Sequence, residues 1–307
     1  MGVAGDPAPV TAGVDGQVLS GTGRLAAYAN FVKVAHTVFA LPFAIVGMAL
    51  ASRVAPFAWR NVALAVCAFG AARFMAMGFN RIADLRYDAL NPRTATRELP
   101  SGRMTRAEAW ALVGVMGALF VLCAGLLNPL CLALAVPAAA WVTAYSFTKR
   151  FTALCHLWLG VGMAIAPVGG YLAMTGAWST PWYRLGLLAA CVASWGGGFD
   201  VIYSLQDEDF DRANGLKSMT VWLGARGAIL VARALHIVAI TSLVGLGVVA
   251  GLGWRFGLAV GIAAVLLLWE HRLVKPGDYS RLDAAFFTVN GIISGVVMLG
   301  VVVDVLR

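Results

Sequence analysis

Runs of apolar residues long enough to cross a bilayer recur along nearly the whole chain, and they leave room for little besides a helical bundle. A membrane-crossing helix needs about 20 mainly apolar residues, because each adds only ~1.5 Å against ~30 Å of hydrocarbon. Nine candidate spans are read, with cores near residues 34–51, 62–79, 107–126, 130–148, 154–174, 184–205, 228–250, 254–271 and 284–305. Arg226 and Arg233 blur the start of the seventh. Backbone groups in lipid find no water, so such spans are helices packed in one bundle. A composition of 60% hydrophobic and 12% charged residues, with a mean hydropathy of +0.80, excludes an ordinary soluble domain. The expected fold is all-α and polytopic.

The segment through Gly23 is rich in Gly, Ala, Pro and Thr and lacks both a basic and an apolar signal region. It is expected to be a disordered tail over 1–23, leaving 24–307 as one transmembrane domain. Cys67, Cys123, Cys131, Cys155 and Cys191 lie singly in apolar runs without metal spacing, which predicts free thiols. With nine spans, most of the 23 Lys and Arg residues fall on the face shared by the amino terminus and the loops after even-numbered spans. The positive-inside rule makes that face, and the amino terminus, cytoplasmic. The net charge of +8 is then a topology signal for an inner or plasma membrane protein and calls for no nucleic-acid partner. Trp59, Trp178, Trp182 and Trp254 fit an interfacial belt on the other side, and no obligate protein partner is evident.

Two acidic ladders break the apolar pattern on the basic face. Asn80, Asp84 and Asp88 stand four residues apart at the end of the second span, which places them on one helical face. Like charges at that spacing destabilise a helix, so a bound cation is expected between them. Asp200, Tyr203, Asp207 and Asp211 repeat the arrangement at the end of the sixth span, and each ladder is followed by a turn and a cation, NPRT or NGLKS. The pair looks like a weak internal duplication. Hard oxygen donors suit Mg²⁺ or Ca²⁺, and Mg²⁺ in particular binds through one or two carboxylates together with substrate phosphate oxygens. Ladders facing each other would hold more than one ion with a polyphosphate between.

Tyr145 and Lys149, four residues apart at the end of the fourth span, add a phenol and an ammonium on the same side. Lys149 is a candidate point charge for a phosphate oxygen, and Tyr145 a hydrogen-bond donor or a π face for a cation.

The ladder Asn80-x-x-x-Asp84-x-x-x-Asp88 with NPRTATRELPSG, the segment YSFTKRFT, and DVIYSLQDEDFDRANGLKS together resemble the UbiA superfamily of intramembrane prenyltransferases. The resemblance covers nearly all of the chain after Arg24. It implies Mg²⁺-dependent transfer of a polyprenyl chain from its diphosphate to an aromatic acceptor in the lipid bilayer. One position departs: many members have Asn-Asp where this chain has Asn80-Arg81. The first motif and the segment from His36 to Ala44 look most like the enzymes of quinone synthesis. These include the branch serving menaquinone through the futalosine route, with the 4-hydroxybenzoate polyprenyltransferases of ubiquinone synthesis as the main competitor.

On that resemblance, Asn80, Asp84, Asp88, Asp207 and Asp211 would hold the metal. Lys149, Lys217, Arg93 and Arg97 would bind the diphosphate, and Tyr145 and Tyr203 would line the path of an allylic cation. Arg73 lies in mid-span seven residues before Asn80, so it is placed on nearly the same face and ~10 Å deeper. An intramembrane arginine usually faces a bundle interior or cavity, and it is the candidate partner for an acceptor carboxylate, with Asn290 a weaker one. Duller readings stand beside these. The ladders would serve as solvated helix ends, Arg73 as a structural partner of Asp84, the scattered histidines as packing residues, and ELPSGRMT as an ordering loop or a passive connector. The rival function is an ion-coupled transporter using the acids as a path, although transporters tend to place such acids near the midplane.

Overall fold

The computed structural model describes residues 23–32, 37–279, 281–282 and 284–306. Most of the expected tail, together with Lys33, His36 and Arg307, lies outside these. A short helix α1 (Arg24–Phe31) precedes α2 (Thr37–Ala51) and α3 (Trp59–Ala83), which leads into the six-residue α4 (Leu85–Leu90). Then come α5 (Arg106–Leu127), α6 (Pro129–Thr148), α7 (Cys155–Thr175) and α8 (Tyr183–Tyr203). Beyond the short α9 (Glu208–Ala213) lie α10 (Met219–Ala250), α11 (Trp254–Leu273) and α12 (Asn290–Val305).

Among the described residues eight helices are long and apolar enough to cross a membrane. The first expected span is α2, which reaches only 15 residues and carries Pro42 inside. Near the start of the seventh span Gly224 sits at φ 68° inside α10, so the helix is kinked there. All five cysteines are free. Trp59, Trp178, Trp182 and Trp254 are all exposed, as belt residues would be.

The helices pack in a closed cycle, α2 on α7, α7 on α8, α8 on α10, α10 on α11, α11 on α12 and α12 back on α2. A second group forms around α3, which packs on α5, α6 and α7. Without water to drive helices together in lipid, close backbone approach supplies much of the contact, and small residues permit it. A Cβ on Gly160 would overlap the Ala193 carbonyl of α8, and one on Gly170 would overlap the Ala44 carbonyl of α2, whereas Gly169 faces open space. Gly160→Ala and Gly170→Ala are therefore expected to destabilise the bundle by about 1–3 kcal/mol each, and Gly169→Ala to be near neutral. Thermal unfolding of the three variants in one detergent checks this.

The core centres on α8. Trp195 lies 5.0 Å from Phe43 and 5.0 Å from Phe199, Phe199 lies 5.2 Å from Phe286, and Tyr203 lies 4.2 Å from Phe286. Residues 195, 199 and 203 share one helical face, so an aromatic ladder runs from the apolar core to the acidic end of the helix.

Candidate active site

Both acidic ladders sit on broken helices, where one continuous face was expected. α3 stops at Ala83, and Asp84 at φ −95°, ψ 5° turns the chain into α4. α8 stops at Tyr203, a 3₁₀ turn covers Ser204–Asp207, and Asp207 at φ −101°, ψ 3° turns the chain into α9. The central aspartate of each ladder thus occupies the same sparsely populated bridge conformation, a region favoured at active sites. Asn91, extended ahead of Pro92, ends α4. The loop then folds back, with Thr94 Oγ1 donating to the Asp88 carbonyl at 2.9 Å. After α9, Gly215 at φ 67° makes the left-handed turn, and the Lys217 backbone N–H donates to the Lys149 carbonyl at 2.6 Å.

These elements converge on a cavity of about 840 Å³ lined by Asn80, Asp84, Asp88, Arg93, Arg97, Tyr145, Lys149, Tyr203, Asp207 and Asp211. Arg73 also lines it, and among the described residues its buried Nε has no hydrogen-bond partner. Below the charged mouth the walls are mostly apolar, including Phe120, Leu134, Trp141, Trp158 and Leu172, and reach Trp178 at the far end of the bundle. Two predicted residues are not brought there. Lys217 is exposed, and its Nζ donates to the Phe151 carbonyl at 3.2 Å. Asn290 is buried in the core, where Oδ1 accepts from Trp195 Nε1 at 2.7 Å and Nδ2 donates to Glu270 Oε1 at 3.0 Å.

Asp84, Asp88, Asp207 and Asp211 each have a cationic partner. Arg97 Nη1 donates to Asp88 Oδ1 at 2.6 Å, and Arg93 holds Asp207 through two nitrogens at 2.8–3.2 Å. Lys149 Nζ donates to Asp211 Oδ2 at 3.0 Å, and Arg150 Nη2 stands 3.6 Å from Asp84 Oδ1. Asn80 Nδ2 donates to Asp84 Oδ2 at 2.8 Å. The departing residue Arg81 is buried, donates to the Phe31 carbonyl at 3.4 Å, and lies 3.8 Å from Asp88 Oδ2. It ties α1 to the site. Leu99 and Met104 of the ELPSGRMT loop pack with Phe31 and Val32, so the loop is ordered against α1.

Burial and the neighbouring Asp88 raise the Asp84 pKa to about 6, despite Arg150, Lys149 and Asn80. Burial opposes the charge on Lys149, but Asp211 and Asp207 more than offset it and hold the ammonium above the usual lysine range. The Asp84 shift fixes a sign. Without divalent metal, its contribution favours the folded state below pH ~3.8 and is lost as pH rises through about 6. A metal held there competes with that proton, so the half-saturating Mg²⁺ concentration is expected to rise up to about tenfold per unit below pH 6. Thermal-shift titrations with Mg²⁺ at several pH values check this, and Asp84→Asn should flatten the profile.

Sequence reasoning read His156, with the other histidines, as a packing residue and gave Asp200 no role of its own. Both line the cavity, and His156 Nδ1 lies 2.6 Å from Asp200 Oδ2. The only available signal was Asp200 standing seven residues before Asp207, as Arg73 stands before Asn80.

A cationic and acidic mouth over a long apolar cavity inside a helical bundle defines a membrane enzyme of the prenyltransferase class. The chain belongs to the UbiA prenyltransferase family, whose pattern matches residues 40–292. It is 30% identical over 234 residues to a 4-hydroxybenzoate octaprenyltransferase of Klebsiella pneumoniae, covering 74% of this chain and 77% of that one. It superposes on the apo structure of a UbiA homologue from Aeropyrum pernix K1 with a TM-score of 0.80 and 34% identity, covering 88% of this chain and 98% of that one. The fold is shared as well by a UbiA homologue from Archaeoglobus fulgidus bound to GPP and Mg²⁺, at a TM-score of 0.69 and 16% identity, covering 92% and 100% of the two chains.

Proposed function

We propose that this enzyme transfers a polyprenyl group from its diphosphate to an aromatic acid, with Mg²⁺, and releases diphosphate at a cytoplasmic mouth. The observation that carries the reading is the exchangeable pairing at the mouth. Four carboxylates pair with five cations, Arg81, Arg93, Arg97, Lys149 and Arg150, above an apolar cavity, so a metal and a diphosphate can take the place of partners within one charged network. The donor set fits the ion. Asn80, Asp84, Asp88, Asp207 and Asp211 offer hard oxygens, and Asp88 Oδ2 is buried with no hydrogen-bond partner among the described residues. Bound there, Mg²⁺ would supply charge neutralisation for the departing diphosphate.

The chain's own residues then have separable tasks. Arg93, Arg97 and Lys149 turn from their carboxylates to diphosphate oxygens and favour cleavage of the prenyl carbon–oxygen bond. Tyr145 and Tyr203 present ring faces to the allylic cation, and Arg93 already stands 6.0 Å from the Tyr203 ring centre. The apolar walls take the prenyl tail and exclude water. Arg73, deeper on the same helix face, receives the acceptor carboxylate. The named relative favours 4-hydroxybenzoate as acceptor, with a dihydroxynaphthoate as the alternative within quinone synthesis. Acids gathered at helix ends, and family membership, both weigh against transport.

The deciding experiment offers the purified protein in lipid a polyprenyl diphosphate and either acceptor, with and without Mg²⁺. Prenylated product and diphosphate that appear only with metal are expected; a folded protein that yields neither overturns the reading. Arg73→Leu is expected to raise the acceptor KM by about 10- to 100-fold, as loss of a charged hydrogen bond would, and to leave the donor KM nearly unchanged. Equal effects on both constants would remove Arg73 from the acceptor site.

A further inference from the structure

One carboxylate in the cavity is left over by the metal and diphosphate chemistry. Asp84, Asp88, Asp207 and Asp211 each face an arginine or lysine. Asp200 faces an imidazole. His156, in the first turn of α7, is 1% exposed, and its Nε2 accepts the Met219 backbone N–H of α10 at 3.3 Å. With Nε2 accepting, the ring proton stands on Nδ1 and is donated to Asp200 Oδ2, which fixes both tautomer and orientation. Three helices thus clamp one hydrogen bond. Among the described residues Asp200 Oδ1 has no hydrogen-bond partner, and the side chain keeps 15% of its surface open in a cavity that it lines.

Position separates Asp200 from the metal residues as well. It stands seven residues before Asp207, as Arg73 stands seven before Asn80 on α3, and both line the cavity. His156 engages only Oδ2, so Oδ1 can take a proton without displacing a partner.

We propose that Asp200, oriented by His156, accepts the hydroxyl proton of the aromatic acceptor as the new carbon–carbon bond forms. This rests on the aromatic prenyl transfer proposed above. The prenyl carbon–oxygen bond breaks and its electron pair leaves with the diphosphate. The ring's π electrons form the new bond, the O–H pair becomes the carbonyl of a dienone, and the proton goes to Asp200 Oδ1. Loss of the proton on the substituted carbon, with return of the Asp200 proton to oxygen, restores the aromatic ring and releases one proton overall. His156 is the positioning residue. Arg73 and Asp200 then select an acceptor carrying a carboxylate and a hydroxyl on one ring.

The test compares wild type, Asp200→Asn and His156→Gln, full length in lipid, using 4-hydroxybenzoate and fluorinated 4-hydroxybenzoates whose hydroxyls ionise at lower pH. Asp200→Asn is expected to lower kcat about 10²- to 10⁴-fold with 4-hydroxybenzoate, the range of general-base catalysis. Binding of prenyl diphosphate with Mg²⁺ should stay within about twofold, and the deficit should shrink as the acceptor hydroxyl becomes more acidic. A merely structural role would not give that trend. His156→Gln should show a smaller deficit with the same trend, and it carries the test alone if Asp200→Asn does not fold. Unimpaired turnover, a deficit uniform across the acceptor series, or lost donor binding beside an active wild type overturns the proposal. A wild type that prenylates no hydroxyaryl acid overturns the underlying reading, and the proposal with it.

Discussion

Asp88→Asn is expected to lower kcat/KM for prenyl transfer by about 10²- to 10³-fold, the cost of removing one preorganised charge from a site where charge develops. Asp88 is chosen for its asymmetry. One oxygen is held by Arg97 at 2.6 Å, and the other is buried without a hydrogen bond, with Arg81 at 3.8 Å. Such an atom costs stability unless something fills its lone pairs, and a hard cation is the partner this donor set suits. Asparagine keeps the shape and removes the charge. Arg97 and the buried Arg81 lose their counter-charge, so a moderate fall in the apo unfolding temperature is expected, smaller than the loss of activity, while the Mg²⁺ dependence of the rate moves to higher concentration. Steady-state rates across an Mg²⁺ titration, read beside thermal unfolding without metal, separate the two effects. An activity loss matched by an equal fall in apo stability would make Asp88 a structural residue.

The parts of this enzyme that were legible in its sequence are those fixed by one helix alone. Spans are readable because crossing hydrocarbon demands length and apolarity whatever the neighbours do. Arg73 could be placed on the Asn80 face because α3 runs unbroken over Trp59–Ala83. The breaks at Asp84 and Asp207 were not readable, since neither IADLR nor LQDED contains a proline or glycine to announce one. The turn there is held by partners far along the chain, Arg150 for Asp84 and Arg93 for Asp207. The same limit explains Asn290 and Lys217. A polar residue in a span must find a partner, but its sequence position does not say whether that partner is a substrate or, for Asn290, the side chains of Trp195 and Glu270. The pairing of His156 with Asp200 joins residues 44 apart on different helices and has no sequence spacing to betray it.

Lys149→Met should produce two losses that Mg²⁺ and substrate tell apart. In the unliganded enzyme the ammonium neutralises Asp211, whose side chain is only 3% exposed. Removing one member of a buried pair strands the other, a cost of about 3–5 kcal/mol when both are fully buried. Lys149 itself is 30% exposed, so water softens that cost and a fall nearer the lower end is expected. Metal bound at Asp211 would supply the missing positive charge, and the fall in unfolding temperature should therefore shrink on adding Mg²⁺. Activity should not recover with it. With the carboxylates engaged, Lys149 is free to meet the diphosphate, and its raised pKa keeps it charged throughout the neutral range. Loss of that charge is expected to cost about 10²- to 10³-fold in kcat, with little change in acceptor KM. Lys149→Arg keeps the charge but not the compact ammonium, so it should restore apo stability more fully than turnover. If Mg²⁺ restored stability and rate together, Lys149 would act only by balancing Asp211. The exchange of partners between carboxylates and diphosphate would then have to rest on Arg93 and Arg97 alone.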